Sequence, residues 1–194
     1  MRSLIAAAAA VVLLAPAGAL AQPVSDVSGP DTYLELHAGA VFPQHDDVDA
    51  LDTGWSIGGT FGARFTRNLG VEGEVAYQRS SVESSAAIEE TLSIVPITAS
   101  VRLTLPFQSI ELSALAGVGL HVATYDIDVD PPGTGASDTA TAFGYHVGAG
   151  VGLNLSPTML VGVDVRRTFV EAKFDGIESR LDTLRLAVKL GYRF

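Results

Sequence analysis

The sequence predicts an all-β fold, an eight-stranded antiparallel up-and-down transmembrane β-barrel. Three observations lead to this prediction. The chain opens with an export signal, the rest alternates apolar and polar residues with a period of two, and its connectors alternate between short and long.

The N-terminal segment has the composition of a secretory signal peptide. Arg2 supplies one positive charge, a continuous apolar run follows, and Ala19 and Ala21 flank Leu20 in an A-x-A arrangement. We therefore expect residues 1–21 to be a signal peptide that is cleaved after Ala21.

The remainder is predicted to be a short N-terminal extension at 22–30 and one barrel domain at 31–194. The chain has no cysteine, which excludes disulfides and thiolate ligands. Its net charge of −10 argues against a nucleic-acid partner, because such partners need a basic face. We expect no nucleic-acid partner and no cofactor.

Alternation of apolar and polar residues recurs in eight stretches of strand length. The stretches cover residues 32–42, 54–66, 69–81, 91–105, 110–126, 140–154, 158–172 and 181–194.

The connectors between these stretches alternate between short and long. The short ones, RNLG at 67–70, PFQS at 106–109 and LSPT at 155–158, have the composition of tight β-hairpin turns. Outer-membrane barrels have such short turns on the periplasmic side and longer loops outside. The longer, more polar connectors lie at residues 43–52, 82–90, 128–140 and 175–181.

Within a stretch the two faces differ in polarity. In the last stretch Leu184, Leu186, Val188, Leu190, Tyr192 and Phe194 alternate with Arg185, Ala187, Lys189, Gly191 and Arg193. A soluble barrel of the lipocalin type would turn its apolar face inward. Here the polar faces are rich in glycine, which suits a narrow lumen, and the apolar face ends in aromatic residues, which suits a lipid interface. We therefore expect the apolar faces to contact lipid, with the lipocalin-like barrel as the alternative.

With these features the chain resembles the OmpA/OmpX-type family of small eight-stranded outer-membrane β-barrels over residues 31–194. The terminal strand, LRLAVKLGYRF, is the most specific part of the match. In the wider class it resembles the signal read by the barrel-assembly machinery, which implies recognition of Leu190, Tyr192 and Phe194. Full-length OmpA relatives carry a peptidoglycan-binding domain after the barrel, and no such segment follows Phe194, so we expect no cell-wall anchoring.

The predicted inward faces carry charges of both signs. Since an unpaired buried charge is costly, we expect these side chains to form a salt-bridge network that fills the lumen, with an ion path as the alternative. The network is predicted to contain Glu35, Arg64, Glu72, Glu74, Arg102, Glu111, Asp164, Arg166, Arg185 and Lys189.

Two further groups could in principle bind metal. His37, His121 and His146 have inward parity, and His121 and His146 are expected roughly opposite each other on adjacent strands, where two imidazoles could hold a metal or respond to acid. Because the sequence supplies no third ligand, we predict no metal site. Acidic connectors also lack a calcium-loop spacing; their aspartates are Asp46, Asp47, Asp49, Asp52, Asp126, Asp128, Asp130 and Asp138.

Some barrels of this size modify lipid A through an activated serine. Ser80, Ser81, Ser84 and Ser85 lie near the second long connector, but no histidine is near them in sequence and no G-x-S-x-G motif occurs. We therefore predict no catalytic residues and no enzymatic activity, and keep a lipid A-modifying enzyme as the lesser alternative.

The resemblance and the residues together predict an integral protein of the Gram-negative outer membrane. We expect a monomeric envelope scaffold whose exposed loops serve surface interaction or adhesion, with a small channel for ions or hydrophobic solutes as the alternative. The expected partners are outer-membrane lipid, lipopolysaccharide and, during biogenesis, the barrel-assembly machinery.

Overall fold

The computed structural model describes residues 31–44, 53–85, 88–129, 136–174 and 177–194. The predicted signal peptide with Ala19 and Ala21, and the extension that follows it, lie outside these residues. So do five of the loop aspartates, Asp46, Asp47, Asp49, Asp52 and Asp130.

The described residues form nine antiparallel β-strands. Their bounds are β1 (Asp31–Pro43), β2 (Gly54–Arg64), β3 (Leu69–Ser85), β4 (Ile88–Phe107), β5 (Ile110–Val129), β6 (Ala136–Asn154), β7 (Met159–Phe174), β8 (Ile177–Arg180) and β9 (Thr183–Arg193). No stretch of the described chain forms a helix long and apolar enough to cross a membrane.

The strands close into a barrel. Strands β1 to β7 each pair with the next in sequence, and β9 pairs with both β7 and β1. These pairings leave eight barrel strands with no free edge, so every strand finds hydrogen-bond partners on both sides. The predicted eight-stranded antiparallel barrel is therefore confirmed.

The registers also define how far the strands are staggered. A path that steps from each residue to its paired partner around the barrel leaves β1 at Tyr33 and returns to it at Pro43. Such a displacement requires the strands to tilt relative to the barrel axis. The path runs through Tyr33, Gly62, Glu72, Ser100, Gly117, His146, Thr168, Thr183 and Pro43.

Strand β8 is the outer part of the last barrel strand. It pairs with β7 in the same register that β9 follows, and the Leu181 N–H between them donates to the Val170 carbonyl at 2.9 Å. The β8 and β9 segments thus form one strand that is interrupted at Leu181 and Asp182. The sequence analysis assigned this region to a connector, so β8 is a correction.

The three predicted short connectors are tight turns. The β4–β5 turn consists of Gln108 and Ser109, closed by the paired residues Phe107 and Ile110. Gln108 has a φ of 54°, a left-handed conformation that favours glycine or asparagine over glutamine. At the opposite end β3 to β7 extend beyond the predicted stretches.

The two faces of the barrel wall differ as the parity predicts. Large apolar side chains point outward and stay exposed, including Phe61, Val101, Ile110, Phe143 and Leu190. Charged side chains of opposite parity are buried inside. A lipocalin-like barrel would bury the first set and expose the second, so the observed orientation excludes that alternative.

Candidate functional site

The lumen gathers the charged residues that the sequence analysis singled out. All are buried, each with less than a tenth of its surface exposed: Glu35, His37, Arg64, Glu72, Glu74, Arg102, Glu111, His121, His146, Asp164, Arg166, Arg185 and Lys189. Alternation along the strands brings them to one side of the wall, and closure of the barrel brings them within reach of one another.

One cluster centres on Arg102 of β4. Its guanidinium binds Glu35 through both terminal nitrogens, at 2.8 and 3.0 Å, and its Nε lies 2.7 Å from Glu72 Oε2. Lys189 Nζ approaches the other side of Glu35 at 3.3 Å. The Tyr33 hydroxyl donates to Glu72 at 2.8 Å, so a neutral donor completes a set of four charges.

A second cluster centres on Glu74 of β3. Arg185 and Arg166 each place a nitrogen 2.8 Å from Glu74 Oε1, and Thr60 donates to Oε2 at 3.2 Å. Arg185 also lies 3.5 Å from Asp164 and 3.0 Å from His37 Nε2. Arg166 links the two clusters, since its other terminal nitrogen lies 3.7 Å from Glu72.

A third cluster lies at the end of the lumen near the short turns. Glu111 accepts a hydrogen bond from Arg193 at 2.8 Å and from Asn154 at 3.2 Å, and Arg64 lies 3.6 Å away. Arg193 and Tyr33 were not among the predicted network residues. Arg193 shares the parity of Arg185 and Lys189, so the same alternation could have placed it.

These pairings determine what the lumen can do. In a wall of eight strands, interior side chains fill most of the available space. Guanidinium and carboxylate groups that are paired and buried hold each other in place, and removing one partner leaves an uncompensated charge. The lumen side chains therefore connect opposite parts of the barrel wall through paired charges.

Above these clusters, towards the long-loop end, the lumen contains a layer of buried apolar side chains beside the buried polar residues Gln78, Ser80 and Thr183. The layer comprises Leu92, Ile94, Ala123, Ala140, Ala142, Val170 and Leu181, all buried, with Tyr125 packed against them. We call this set the apolar layer. The sequence analysis did not predict this layer.

The sequence analysis expected the two histidines on β5 and β6 to lie roughly opposite each other. The strand register shows that they do not. His146 pairs with Gly117, whereas His121 pairs with Ala142, which offsets the two by four positions along the ladder. The described residues contain no cluster of three potential His, Cys, Asp or Glu ligands that could hold a metal ion.

His146 instead contacts a serine. The Ser100 hydroxyl lies 2.8 Å from His146 Nε2, and both residues are buried in the lumen. A nucleophilic serine needs a base whose second nitrogen is oriented by a third group. Among the described atoms, His146 Nδ1 has no hydrogen-bond partner, so this pair lacks that third group.

The serines near the second long connector do not converge on such a base. Ser80 is buried on the inward face, whereas Ser81 is exposed on the outward face. The side chains of Ser84 and Ser85 lie outside the described residues. Ser80 and Ser81 are therefore neighbours in sequence but lie on opposite faces of the barrel wall.

Known structures share this architecture. The chain is similar to Ail, the attachment invasion locus protein of Yersinia pestis, with 21% identity over 87% of this chain and 100% of that one, and a TM-score of 0.54. It is also similar to Neisserial surface protein A, with 17% identity over 86% and 98% and a TM-score of 0.56. OprG of Pseudomonas aeruginosa gives 14% identity over 89% and 99%, with a TM-score of 0.57. At these identities the likeness establishes the fold.

Comparison with curated proteins gives no match. The family described as "Outer membrane protein beta-barrel domain" matches residues 6–194, nearly the whole chain. Together with the closed barrel and its apolar exterior, this match places the protein in the outer membrane. The chain therefore belongs to the outer membrane protein β-barrel domain family.

Proposed function

We propose that the protein is a non-enzymatic, monomeric scaffold that holds long β-hairpins at the cell surface for interaction or adhesion. The observation that carries this proposal is the length of its strand pairing. Strands β4 and β5 pair from the turn at Phe107 and Ile110 to the far pair, Ile88 and Val129, with 20 residues in each strand. A tilted strand needs only about 9–11 residues to cross a bilayer.

The outer parts of β5 and β6 carry polar residues on their outward face, as expected for a part of the barrel that lies in water. On the outward face of β6, Phe143 and Tyr145 give way to Thr141 and Thr139 towards the long-loop end. On β5 the corresponding position is Thr124, whose hydroxyl lies 3.3 Å from that of Thr139. Paired strands that continue beyond the apolar band support a rigid platform for contact with other molecules.

The filled lumen favours a scaffold over a channel. The three charged clusters, around Arg102 with Glu35, around Glu74 and around Glu111, connect opposite parts of the wall through the lumen. The apolar layer lies above them. An ion that entered from outside would have to lose part of its water as it passed the buried apolar side chains of this layer.

One structural relative suggests a partner class. Ail is the attachment invasion locus protein of Yersinia pestis, and one of its structures is a complex with the heparin analogue sucrose octasulfate. Our chain has a net charge of −10, and its β5–β6 hairpin carries Asp126, Asp128 and Asp138. Like charges would repel a sulfated polymer, so we propose a neutral or basic surface as the partner.

Trimming the β5–β6 hairpin tests the proposal. Replacement of residues 125–138 by a two-residue turn would leave the pair Thr124 and Thr139 as the new hairpin end. We expect cells that display the full chain to adhere to matrix-coated plastic or host-cell monolayers more than cells that display the trimmed barrel. Equal adherence, with equal amounts of heat-modifiable barrel in the membrane, would contradict the proposal.

A matched variant separates charge from shape. Asp126→Asn combined with Asp138→Asn keeps the hairpin and removes two charges. If the partner is basic, adherence should fall in this variant; for a neutral partner it should persist.

Planar-bilayer recordings test the channel alternative. We expect the refolded full chain to give no steady conductance. A reproducible unitary conductance that Gly148→Trp abolishes would overturn the scaffold proposal in favour of a channel. Lipid A mass spectra from cells with and without the protein test the enzyme alternative, and we expect the acyl pattern to be unchanged.

A further inference from the structure

The outward face of β6 and β7 carries a cation within an aromatic cluster. The rings of Tyr145 and Phe169, on directly paired residues, stack with centroids 4.8 Å apart and an interplanar angle of 18°. The Arg167 guanidinium carbon lies 5.2 Å from the centroid of the Phe169 ring. Arg167 is exposed, and Tyr145 exposes 56% of its surface.

The position of Arg167 is unusual for a charged residue. Its paired neighbours are Val147 on β6 and Leu184 on β9, and Val165 precedes it on the same face. These apolar residues form the lipid-facing surface of the barrel. An arginine on a lipid-facing surface is strongly unfavourable at the bilayer midplane and is tolerated near the interface.

The strand length places Arg167 at the outer edge of the bilayer. β7 begins at Met159, beside the short periplasmic turn, and runs to Phe174 at the long-loop end. Arg167 is therefore about one bilayer crossing from the periplasmic interface, since a spanning strand has about 9–11 residues. It lies where the headgroups of the outer leaflet begin.

Two carboxylates near this cluster contact donors other than Arg167. Glu171, on the same face of β7, accepts a contact from Arg180 Nε at 3.2 Å, and Asp182 Oδ1 accepts the Val170 N–H at 3.3 Å. Lumen arginines such as Arg185 are paired with carboxylates. In the part of the chain that the structure describes, Arg167 has an aromatic contact and no carboxylate within ion-pair distance.

We propose that Arg167, supported by the Tyr145–Phe169 pair, binds a phosphate group of lipopolysaccharide in the outer leaflet. The guanidinium carbon lies over the Phe169 ring, and in the described residues no carboxylate takes up its N–H donors. These donors match phosphate oxygens in a bidentate geometry. The aromatic rings and the valines beside them provide an apolar surface for the acyl chains of the same molecule.

Native mass spectrometry of the refolded full chain in detergent tests this site, with bis-phosphoryl lipid A as the titrant. We expect one tightly retained lipid A, and roughly tenfold weaker retention in Arg167→Gln, the scale of one lost charge-assisted hydrogen bond. Arg67→Gln, which removes an exposed charge from the opposite, periplasmic turn, is the matched control and should leave binding unchanged.

Two further comparisons make the result decisive. Lipid A without phosphates should bind the wild type as weakly as bis-phosphoryl lipid A binds Arg167→Gln. Arg167→Lys keeps the charge but loses the planar fork, and should also weaken retention. The proposal is overturned by equal retention of phosphorylated and phosphate-free lipid A, by unchanged binding in both Arg167 variants, or by equally tight retention of phosphatidylglycerol, which would indicate a general phospholipid site.

Discussion

Arg185 of β9 and Glu74 of β3 meet inside the barrel through two nitrogen–oxygen contacts of 2.8 and 3.2 Å. Two strands, β1 and β2, separate them in the wall, so the contact braces the interior across its width. Both side chains are only 2–3% exposed, and Arg166 shares the same carboxylate at 2.8 Å. Glu74 thus pairs with two guanidinium groups at once.

Replacement of Glu74 should therefore be costly. Glu74→Gln preserves shape but leaves Arg166 and Arg185 without their shared carboxylate, and a broken buried pair costs about 3–5 kcal/mol. We expect a lower urea midpoint for the barrel in lipid vesicles, measured by the fraction that keeps its compact form on an unboiled gel.

An exposed pair supplies the control for Glu74. Glu171 and Arg180 lie 3.2 Å apart with side chains 71% and 57% exposed, and such pairs contribute about 0–1 kcal/mol. Glu171→Gln should leave the midpoint nearly unchanged. If both variants shift the midpoint equally, the lumen network does not stabilise the barrel in the way that we describe.

Gly39 should be essential where the first and last strands meet. It pairs with Ala187 of β9, and a Cβ at this position would collide with the carbonyl oxygen of Leu186 and with the Ala187 side chain. Because backbone atoms cannot move aside cheaply, Gly39→Ala should reduce the yield of closed barrel on refolding. Gly59→Ala is the control, since its nearest atom would be 3.6 Å away. Similar yields for both variants would contradict this prediction.

Phe194 should matter for assembly in cells more than for stability. It exposes 70% of its surface and its ring contacts Tyr192 edge to face, with centroids 5.1 Å apart. If the terminal strand is read by the assembly machinery, Phe194→Ala should lower the amount of barrel in the outer membrane. Phe65→Ala, at another exposed aromatic near the short turns, should not. Both variants should refold equally well in detergent; equal loss in cells would argue against recognition of Phe194.

The orientation in the membrane can be tested by labelling, because the chain contains no cysteine. Thr139→Cys, exposed on the outer part of β6, should react with a membrane-impermeant maleimide in intact cells. Thr158→Cys, exposed beside a short turn, should react only after the outer membrane is permeabilised. The reverse pattern would mean that the barrel is inserted upside down relative to our assignment.

Local sequence rules predicted the wall of this barrel well. Side chains alternate on a strand whatever its neighbours are, so the inward parity of Glu35, Arg102 and Lys189 could be read from each stretch separately. Turn composition likewise indicated the positions of the short hairpins. These features depend on a few adjacent residues, which is why one sequence sufficed.

Contacts across the lumen could not be predicted in this way. Which guanidinium meets Glu74 depends on the stagger around the closed barrel, and that stagger is a property of all eight interfaces together. The register between strands is likewise not readable from one sequence. For this reason His121 and His146 were predicted to lie roughly opposite each other, although they are offset. The apolar layer was missed for another reason, because Leu92 and Ile94 have the polar parity but not the polar character.

The closed pairing that leads from Tyr33 around the barrel to Pro43 also determines how the barrel unfolds. Each barrel strand is bonded on both sides, so withdrawal of one strand exposes two unpaired edges in hydrocarbon, where no water can satisfy them. No strand can therefore leave early at low cost. We expect unfolding to be all-or-none, with persistence in the membrane governed by the height of a single barrier and not by the weakest hairpin.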